Sequence, residues 1–243
     1  VDVYDAPSMR YTLFAAPLAP APPEQLQLFV DGYQTGSLFQ IDEPAGAQIL
    51  QHVPQSLAYA ALHRPRVLLL GERTGTNVWL ALQEGAEEVV VVQENRAVAE
   101  KILTAETPPF DRQNVEVVVV DPRTYLEREA EPFDLIQIVS AEGVPATAGG
   151  LASLREDYLL TVEAMAKALE LLSATGLLAV TRGLQTPPRD NVRLFALLTE
   201  ALQEETGLSA AERIVQGHNY LAGTTIVSGT PFTKIKNPSF LQT

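Results

Sequence analysis

The hydrophobic pattern of the chain changes character at about residue 66. From there, short runs made almost entirely of Val, Leu and Ile alternate with stretches in which apolar residues recur every three or four positions. A continuous apolar run is typical of a strand buried on both faces, and the wider spacing is typical of an amphipathic helix. The pattern predicts five such strands, at residues 67–70, 89–92, 115–120, 135–139 and 177–181.

Helices are predicted between and after these strands. Their apolar residues fall on one helical face over residues 76–84, 96–104, a short stretch near Tyr125, 155–172 and 191–206. Strands that alternate with helices in this way indicate a parallel sheet covered by helices on both faces. The sequence after residue 66 therefore predicts an α/β fold.

The end of the chain departs from this alternation. Two β-type runs, 214–216 and 221–227, are separated only by a short turn around Gly217-His218-Asn219. Because a parallel connection needs a crossover of a dozen or more residues, these two strands are predicted to be antiparallel. The complete prediction is a seven-stranded, mostly parallel sheet that ends in an antiparallel hairpin.

The first 44 residues have a different pattern. Prolines crowd the start, and three short β-type runs lie close together at 10–15, 26–30 and 37–41. Asp31-Gly32 is a hairpin turn signal between the second and third of these runs. We therefore predict a small N-terminal β appendage over residues 1–44.

A helix is predicted after this appendage, over residues 45–62. Its apolar positions share one helical face and are Ile49, Leu50, Val53, Leu57 and Ala61. Pro54 lies inside this stretch and lacks the N–H group that a helix interior uses. We therefore predict a kink at Pro54.

Composition excludes several classes of chemistry. The 243 residues contain no Cys, which excludes disulfides, thiolate metal sites and a cysteine nucleophile. Seventeen basic residues against thirty acidic ones give a net charge of −13, which argues against nucleic-acid binding through a basic face. No apolar run approaches the roughly 20 residues that a membrane span needs. The chain begins with Val1, so we interpret it as a processed chain or a piece of a longer protein, and we expect a soluble, cytoplasmic domain.

The carboxyl ends of the predicted parallel strands are candidate ligand sites, because ligands of open parallel sheets bind beyond these ends. The first strand is followed by a turn from Gly71 to Gly75, which either approaches a ligand or is an ordinary strand-to-helix turn. Gln93, Glu94 and Asn95 follow the second strand. A carboxylate there would accept both hydroxyls of a ribose, whereas in the alternative Glu94 and Asn95 only cap the next helix.

Two more acidic residues follow the third and fourth strands. Asp121 either bonds an adenine amine or caps a helix that begins at Pro122. Glu142 lies in a long loop of small residues, where it either acts as a base or cation binder or is a solvated charge. Together, the glycine turn, Glu94 and Asp121 favour an adenosine-type pocket.

No metal site or familiar nucleophile motif is predicted. The three histidines, His52, His63 and His218, are far apart and lack the spacing of metal ligands. The sequence also contains no nucleophile elbow and no phosphate-binding loop of the nucleotide-triphosphatase type.

About four-fifths of the chain, residues 31–227, resembles the spermidine synthases, which are polyamine aminopropyltransferases of the class I S-adenosylmethionine-dependent methyltransferase fold. The resemblance rests on Asp31-Gly32, His52-Val53-Pro54, the turn from Gly71 to Gly75, Asp121 and Phe133-Asp134-Leu135-Ile136. It implies a Rossmann-like domain over residues 45–230, followed by a tail at 231–243.

Further segments are similar to a subgroup in which this domain is attached to a polytopic membrane segment. They are Leu154-Arg155-Glu156-Asp157-Tyr158, Thr161-Val162-Glu163-Ala164, Thr181-Arg182, Pro187-Pro188-Arg189-Asp190 and Pro231-Phe232-Thr233. The resemblance therefore also implies attachment to a membrane protein through a segment outside this sequence.

The resemblance implies S-adenosylmethionine or its decarboxylated form as the cofactor, with Glu142 as the catalytic residue. The implied cofactor-binding positions are Gly71, Arg73, Gly75, Gln93, Glu94 and Asp121. Arg73 stands where the family has Gly, so a long cation would lie where the methionine part of the cofactor binds. We expect Arg73 to plug this cleft by a charge-assisted hydrogen bond to Glu94 or Glu142.

Two other departures concern catalysis and ribose binding. The ribose-binding acid of the family falls on Gln93, with Glu94 one place later and therefore on the other face of the strand. The two aspartates of the family's active site fall on Val139 and Glu142. The first of them orients and deprotonates the attacking amine, which a valine cannot do.

These departures favour a spermidine-synthase-like domain that has lost or much weakened aminopropyl transfer and serves as a binding or structural subunit, with S-adenosylmethionine, its decarboxylated form or no cofactor bound. The expected partner is another protein or a second copy, docked on the appendage, residues 1–41. Its candidate contacts are Tyr4, Tyr11, Phe14, Leu28 and Phe39, which in the alternative pack on the appendage's own core. Two other functions stay open: an active transferase that uses either cofactor form on an amine, and a nucleoside-binding sensor without catalysis.

Overall fold

We obtained a computed structural model of the protein. Its described residues form two β-sheets. The structure describes residues 1–30, 32–104, 108–140, 159–206 and 210–232. The N-terminal sheet consists of three antiparallel strands in the order β1 (Asp2–Asp5), β2 (Gln25–Val30) and β3 (Tyr33–Phe39).

The larger sheet has seven strands. They are β4 (Arg66–Leu70), β5 (Glu88–Val92), β6 (Val115–Val118), β7 (Phe133–Ser140), β8 (Leu172–Gly183), β9 (Ile214–His218) and β10 (Ala222–Ser228). Their spatial order is β6-β5-β4-β7-β8-β10-β9. The first five are mutually parallel, and β10 is antiparallel to both β8 and β9. The predicted mostly parallel sheet with a C-terminal antiparallel hairpin is confirmed.

Five α-helices in the described part of the chain cover this sheet. They are α1 (Thr76–Gln83), α2 (Arg96–Ile102), α3 (Pro122–Arg128), α4 (Val162–Glu170) and α5 (Arg189–Thr206). Alternate residues of β4 face opposite sides: Val67 and Leu69 join one buried cluster, and Leu68 and Leu70 join the other. The central strands β4 and β5 are therefore buried on both faces, as their continuous apolar runs predicted, whereas β6 at the edge of the sheet is only partly buried.

The helix predicted at 155–172 is shorter at its start. Thr161 caps α4, because its Oγ1 accepts a hydrogen bond from the Ala164 amide at 3.2 Å. The first residues of the predicted range, 155–158, lie outside the described residues.

The predicted strand at 10–15 is wrong. These residues have no regular structure, and the third strand of the small sheet is β1, which pairs with β2. Phe14 has φ 65°. A left-handed backbone of this kind cannot continue a strand, and the residue type does not reveal it. The hairpin predicted around Asp31-Gly32 is confirmed by the pairing of β2 with β3, although Asp31 itself lies outside the described residues.

The single helix predicted at 45–62 is also wrong. Two 3₁₀ helices, Pro44–His52 and Pro54–Ala61, flank Val53, whose backbone is extended at φ −106° and ψ 147°. Pro54 disfavours helical backbone at the residue before it, so the chain breaks where a kink was predicted. Ile49, Leu50 and Val53 are buried as expected.

The N-terminal sheet packs on the turn that follows β4. A Cβ atom at Gly36 of β3 would lie 2.6 Å from Cγ2 of Thr74, so only glycine allows this approach. Thr76 Oγ1 donates a hydrogen bond to the Ser37 carbonyl at 3.1 Å. Strand residues of the appendage, among them Leu28 and Phe39, belong to the same buried cluster as Val67 and Leu69 of β4. The appendage and the larger sheet therefore share a core.

Three appendage residues that were candidate docking contacts are buried within the chain. Phe14, Leu28 and Phe39 are 3%, 0% and 4% exposed, which is the alternative that the sequence left open. Tyr4 is 57% exposed. Phe14 and Phe39 are therefore not available to a partner, whereas Tyr4 is.

No α-helix within the described ranges is both long enough and apolar enough to cross a membrane.

We predict that Gly36→Ala destabilises the protein through its clash with Thr74. Overpacking of this kind costs about 1–3 kcal/mol, which corresponds to a fall in Tm of about 2–12 °C for a chain of this size. Thr74→Ser removes the clashing methyl group and keeps the hydroxyl. The double variant should therefore lose less Tm than the sum of the two single variants, measured by thermal unfolding. A Tm of Gly36→Ala equal to that of the wild type would show that β3 does not rest on this turn.

Candidate functional site

The candidate site lies where the strand order of the large sheet reverses, between β4 and β7. Ligands of open α/β sheets bind at this point, beyond the carboxyl ends of the strands. The turn from Gly71 to Gly75 leaves β4 here and leads into α1. Gly75 has φ 81° and lies against Pro109 and Phe110, which a Cβ atom would approach to 2.8 and 3.0 Å. The predicted turn is therefore tight, and Pro109 and Phe110 of the same chain cover it.

Glu72 is the central residue of this turn. Its side chain is buried, with a residue exposure of 6%. Oε1 accepts hydrogen bonds from the amides of Arg73, Thr74 and Gly75 at 2.8, 2.8 and 3.0 Å. Oε2 accepts from the amide and the side-chain Nδ2 of Asn77 at 3.1 and 2.5 Å. The carboxylate thus fills the nest of N–H groups at the start of α1, where such a turn would otherwise hold an anionic ligand.

Sequence reasoning missed Glu72, although a signal was present. An acidic residue inside a glycine turn, a few positions before a helix start, is placed to accept the free amides of the first turn.

Gln93 also has a structural role at this site. It is 2% exposed, and its Nε2 donates to the Glu72 carbonyl at 2.5 Å while its Oε1 accepts from the Asn95 amide at 2.8 Å. The side chain therefore ties the end of β5 to the turn after β4. An ionised carboxylate has no proton to donate to that carbonyl, so an acid at this position could not make the same link.

The two residues after Gln93 differ in role. Asn95 caps α2 by accepting from the Ala97 and Val98 amides at 3.0 and 3.2 Å. Glu94 is exposed. The capping alternative is therefore confirmed for Asn95, and Glu94 points away from the interior of the site.

Asp121 caps α3. Its Oδ1 accepts from the Thr124 amide at 2.9 Å, and Pro122 occupies the first helical position, as the alternative reading of this motif predicted. The residue is exposed at the carboxyl end of the strand next to β5. Asp121 and Glu94 thus share one rim of the sheet, outside the buried part of the site.

The predicted ion pair between Arg73 and Glu94 is wrong. Arg73 is half-buried, and within the described ranges its guanidinium forms no ion pair. Its backbone amide serves Glu72 instead. Glu142, the other predicted partner and the candidate catalytic residue, lies outside the described residues.

A cavity of about 10 Å³ lies between the turn and β7. It is lined by Leu69, Leu70, Glu72, Asn77, Gln137 and Val139. Gln137 Oε1 accepts from the Tyr59 hydroxyl at 2.8 Å, whereas Gln137 Nε2 and Asn77 Oδ1 are buried without a protein partner. A donor, an acceptor and this volume match the space of a single water molecule.

Tyr59 stays a hydrogen-bond donor in this environment. Burial raises the pKa of Tyr59 well above its ordinary value, and the charges of Glu84 and Glu72 raise it further. A neutral phenol therefore holds the orientation of Gln137 across the neutral pH range.

The described part of the chain contains no candidate metal site. Within those ranges no three His, Asp or Glu side chains come together in a way that could hold a metal ion.

Comparison with known proteins identifies the fold. No protein-family model matches the sequence, and no curated protein matches it. Among solved structures, a spermidine synthase in complex with the transition-state analogue AdoDATO superposes with a TM-score of 0.55 and 18% identity, over 85% of this chain and 67% of that chain. The spermidine synthase from Thermotoga maritima gives 0.53 and 18%, over 87% and 68%.

The N-methyltransferase NodS from Bradyrhizobium japonicum WM9 gives a TM-score of 0.48 and 14% identity, over 71% of this chain and 89% of that chain. Since the two spermidine synthases lie below 25% identity, the likeness establishes the fold: a Rossmann-like methyltransferase fold with a small N-terminal sheet. The resemblance to the membrane-attached subgroup stays a prediction.

We predict that Glu72→Ala strongly destabilises the protein, because it leaves buried amides of the turn without an acceptor. Loss of hydrogen bonds to a buried charged group costs about 3 kcal/mol, or about 6–12 °C in Tm. The matched control is Glu94→Ala, which removes an exposed carboxylate from the same rim and should change stability by less than about 0.5 kcal/mol. Equal Tm values for the two variants, in thermal or denaturant unfolding, would contradict the central place of Glu72.

Proposed function

We propose that this chain is a non-catalytic domain of spermidine-synthase-like fold that serves as a binding or structural subunit of a larger assembly. The observation that carries the proposal is the Glu72 carboxylate, which takes up the amides of the glycine turn. A turn whose donors are already paired has none left for a ligand. The fold does not need the ligand, since its core is a sheet buried on both faces.

The surroundings of the turn support the same proposal. Gln93 is engaged on both ends of its amide. Pro109 and Phe110 lie directly against Gly75. The described cavity beside Val139 measures about 10 Å³. A pocket for a small organic molecule usually measures about 300 Å³ or more. Binding of a nucleoside-sized cofactor at this point would therefore require Glu72 and its neighbours to move.

Val139 supports the loss of aminopropyl transfer. It lies at the end of β7, where the resemblance to spermidine synthases implies an aspartate that deprotonates the amine. Its half-buried isopropyl group lines the cavity beside Glu72 and cannot accept a proton. General base assistance typically contributes about 10²–10⁴-fold to a rate.

The alternative is an active transferase that uses S-adenosylmethionine or its decarboxylated form on an amine. It is favoured by the exposed carboxylates of Glu94 and Asp121, which follow adjacent parallel strands and would hold the adenosine, with Glu142 as the base. The solved neighbour that binds AdoDATO has the same fold. In that case the ligand would lie along the outer rim of the sheet.

We also propose that the domain acts next to a membrane protein, joined to it through a segment outside this sequence. The support is the similarity of Thr161-Val162-Glu163-Ala164, Thr181-Arg182 and Pro187-Pro188-Arg189-Asp190 to the membrane-attached subgroup. The first of these contains the cap and first turn of α4, and the last begins α5.

We predict that neither S-adenosylmethionine, its decarboxylated form nor methylthioadenosine at 1 mM raises the Tm by more than about 1 °C. A ligand with a Kd of about 10 μM would add about 2.7 kcal/mol at this concentration, or about 5–11 °C. Calorimetric titration with the same three compounds should likewise show no binding heat. A clear shift in the wild type that Asp121→Ala abolishes would instead establish the transferase or sensor alternative.

We predict no spermidine formation from putrescine and decarboxylated S-adenosylmethionine, measured by product chromatography. Val139→Asp should stay inactive as well, because the turn remains filled by Glu72. Activity that appears only in Val139→Asp would show that the cofactor site is open and that only the base is missing. Robust turnover by the wild type would refute the proposal.

A further inference from the structure

A long loop between β1 and β2 lies across one face of the N-terminal sheet. It comprises residues 11–23, which form neither helix nor strand, and we call it the N-terminal loop. An ion pair between Arg10 and Glu24, at 3.4 Å, holds its two ends together. Compact surface loops with close ends behave as units and are frequently functional.

Two hydrogen bonds fasten the middle of this loop to other elements. The Ala16 amide donates to the carbonyl of His52, at the end of the first 3₁₀ helix, at 3.0 Å. Asn219 Nδ2, in the turn between β9 and β10, donates to the Phe14 carbonyl at 2.8 Å. Neither partner belongs to the N-terminal sheet, so the loop can leave its place without unpairing a strand.

The sheet face beneath the loop is polar. Ser37 Oγ donates to the Tyr11 carbonyl at 3.4 Å and to Gln27 Oε1 at 3.1 Å, so Ser37 and Gln27 of neighbouring strands both face the loop. Gln25 lies two residues before Gln27 in β2 and shares its face. Gln25, Gln27 and Ser37 are 2%, 0% and 5% exposed. The loop therefore covers a row of buried polar side chains.

Several polar atoms at this contact lack a hydrogen-bond partner among the described residues. They are Nε2 and Oε1 of Gln25, Nε2 of Gln27 and Oγ1 of Thr12. Buried donors and acceptors without a partner are unfavourable, and they gain hydrogen bonds when water reaches them. The closed position of the loop is therefore opposed by the groups that it covers.

Phe14 adds backbone strain to the closed loop. Its φ of 65° is left-handed, which is uncommon for a bulky residue. Its side chain is nevertheless buried, and its carbonyl is held by Asn219. Strain of this kind persists only where surrounding contacts fix the backbone, so release of the loop would relax it.

We propose that the N-terminal loop opens and closes within the folded protein, as a separate unit whose opening leaves both sheets intact. Asn219 holds the closed form, and the covered glutamines and the strained Phe14 favour the open form. Opening uncovers Phe14, Gln25 and Gln27, so only the open form offers this aromatic and hydrogen-bonding surface. The equilibrium is a property of the free chain and does not depend on the proposed function.

Native-state hydrogen exchange of the whole chain, followed amide by amide by NMR, tests this opening. The Ala16 amide exchanges only when its bond to His52 breaks. It should exchange at least about 100-fold faster than the Leu69 amide in the central strand β4, which waits for global unfolding. Low concentrations of denaturant should leave Ala16 exchange unchanged and accelerate Leu69 exchange, because local opening exposes little surface.

Val90→Ala separates local opening from global unfolding. Val90 is 1% exposed in β5, so its truncation destabilises the large sheet and should speed Leu69 exchange about tenfold or more. The closed and the open forms both keep β5. Ala16 exchange should therefore stay at the wild-type rate.

Asn219→Asp removes the bond that holds the loop and keeps the turn. An aspartate oxygen still accepts from the Leu221 and Ala222 amides, as Asn219 Oδ1 does at 2.8 and 3.0 Å, but a carboxylate has no N–H for the Phe14 carbonyl. Ala16 exchange should rise about tenfold.

Two further variants complete the test. Asn95→Asp makes the same charge change at the cap of α2, where only the side-chain oxygen is used, and should leave Ala16 exchange unchanged. Gln25→Met keeps the length of the side chain and removes its unpartnered polar atoms. It should slow Ala16 exchange about threefold or more, because opening then hydrates fewer polar groups.

Three results would each overturn the proposal. The first is that Val90→Ala speeds the exchange of Ala16 and Leu69 alike, since the loop would then open only on global unfolding. The second is an unchanged Ala16 rate in Asn219→Asp. The third is faster Ala16 exchange in Gln25→Met, which would show that the covered glutamine stabilises the closed loop.

Discussion

The carboxylate of Glu72 is the interaction on which the carboxyl end of the sheet depends. Burying a carboxylate is costly unless hydrogen bonds replace its lost water. Here N–H groups of Arg73, Thr74, Gly75 and Asn77 supply that replacement. The same bonds satisfy backbone amides at the start of α1 that would otherwise need water or a ligand. One side chain thereby stabilises both the turn and the helix that follows it.

The rest of this region is arranged around that turn. β3 rests on Thr74, Phe110 rests on Gly75, and Gln93 holds the carbonyl of Glu72. Ligands of open α/β sheets bind at this point, and here the amides of the turn are bonded to a carboxylate of the same chain.

The sequence by itself determined the sheet and most of the helices. Strands such as β4 and β5 are continuous apolar runs, and burial on both faces is a local property of each run. The antiparallel hairpin followed from the short connection between β9 and β10. The capping roles of Asn95 and Asp121 could also be predicted from the sequence, because a cap and its helix are neighbours in sequence.

Only the tertiary structure determined the position and the contacts of the candidate site. The strand order put β4 beside β7 and so brought Glu72 of the turn next to Val139. The backbone of the turn from Gly71 to Gly75 directs its amides toward the side chain of Glu72, and this direction decided that Glu72 rather than Arg73 fills the turn. Phe14 has a left-handed backbone, which is uncommon for a bulky residue. The burial of Leu28 and Phe39 depended on β3 docking onto Thr74 from about 40 residues away in sequence. Such contacts between distant segments produce no periodic pattern in the sequence, because each segment alone is compatible with several packing partners.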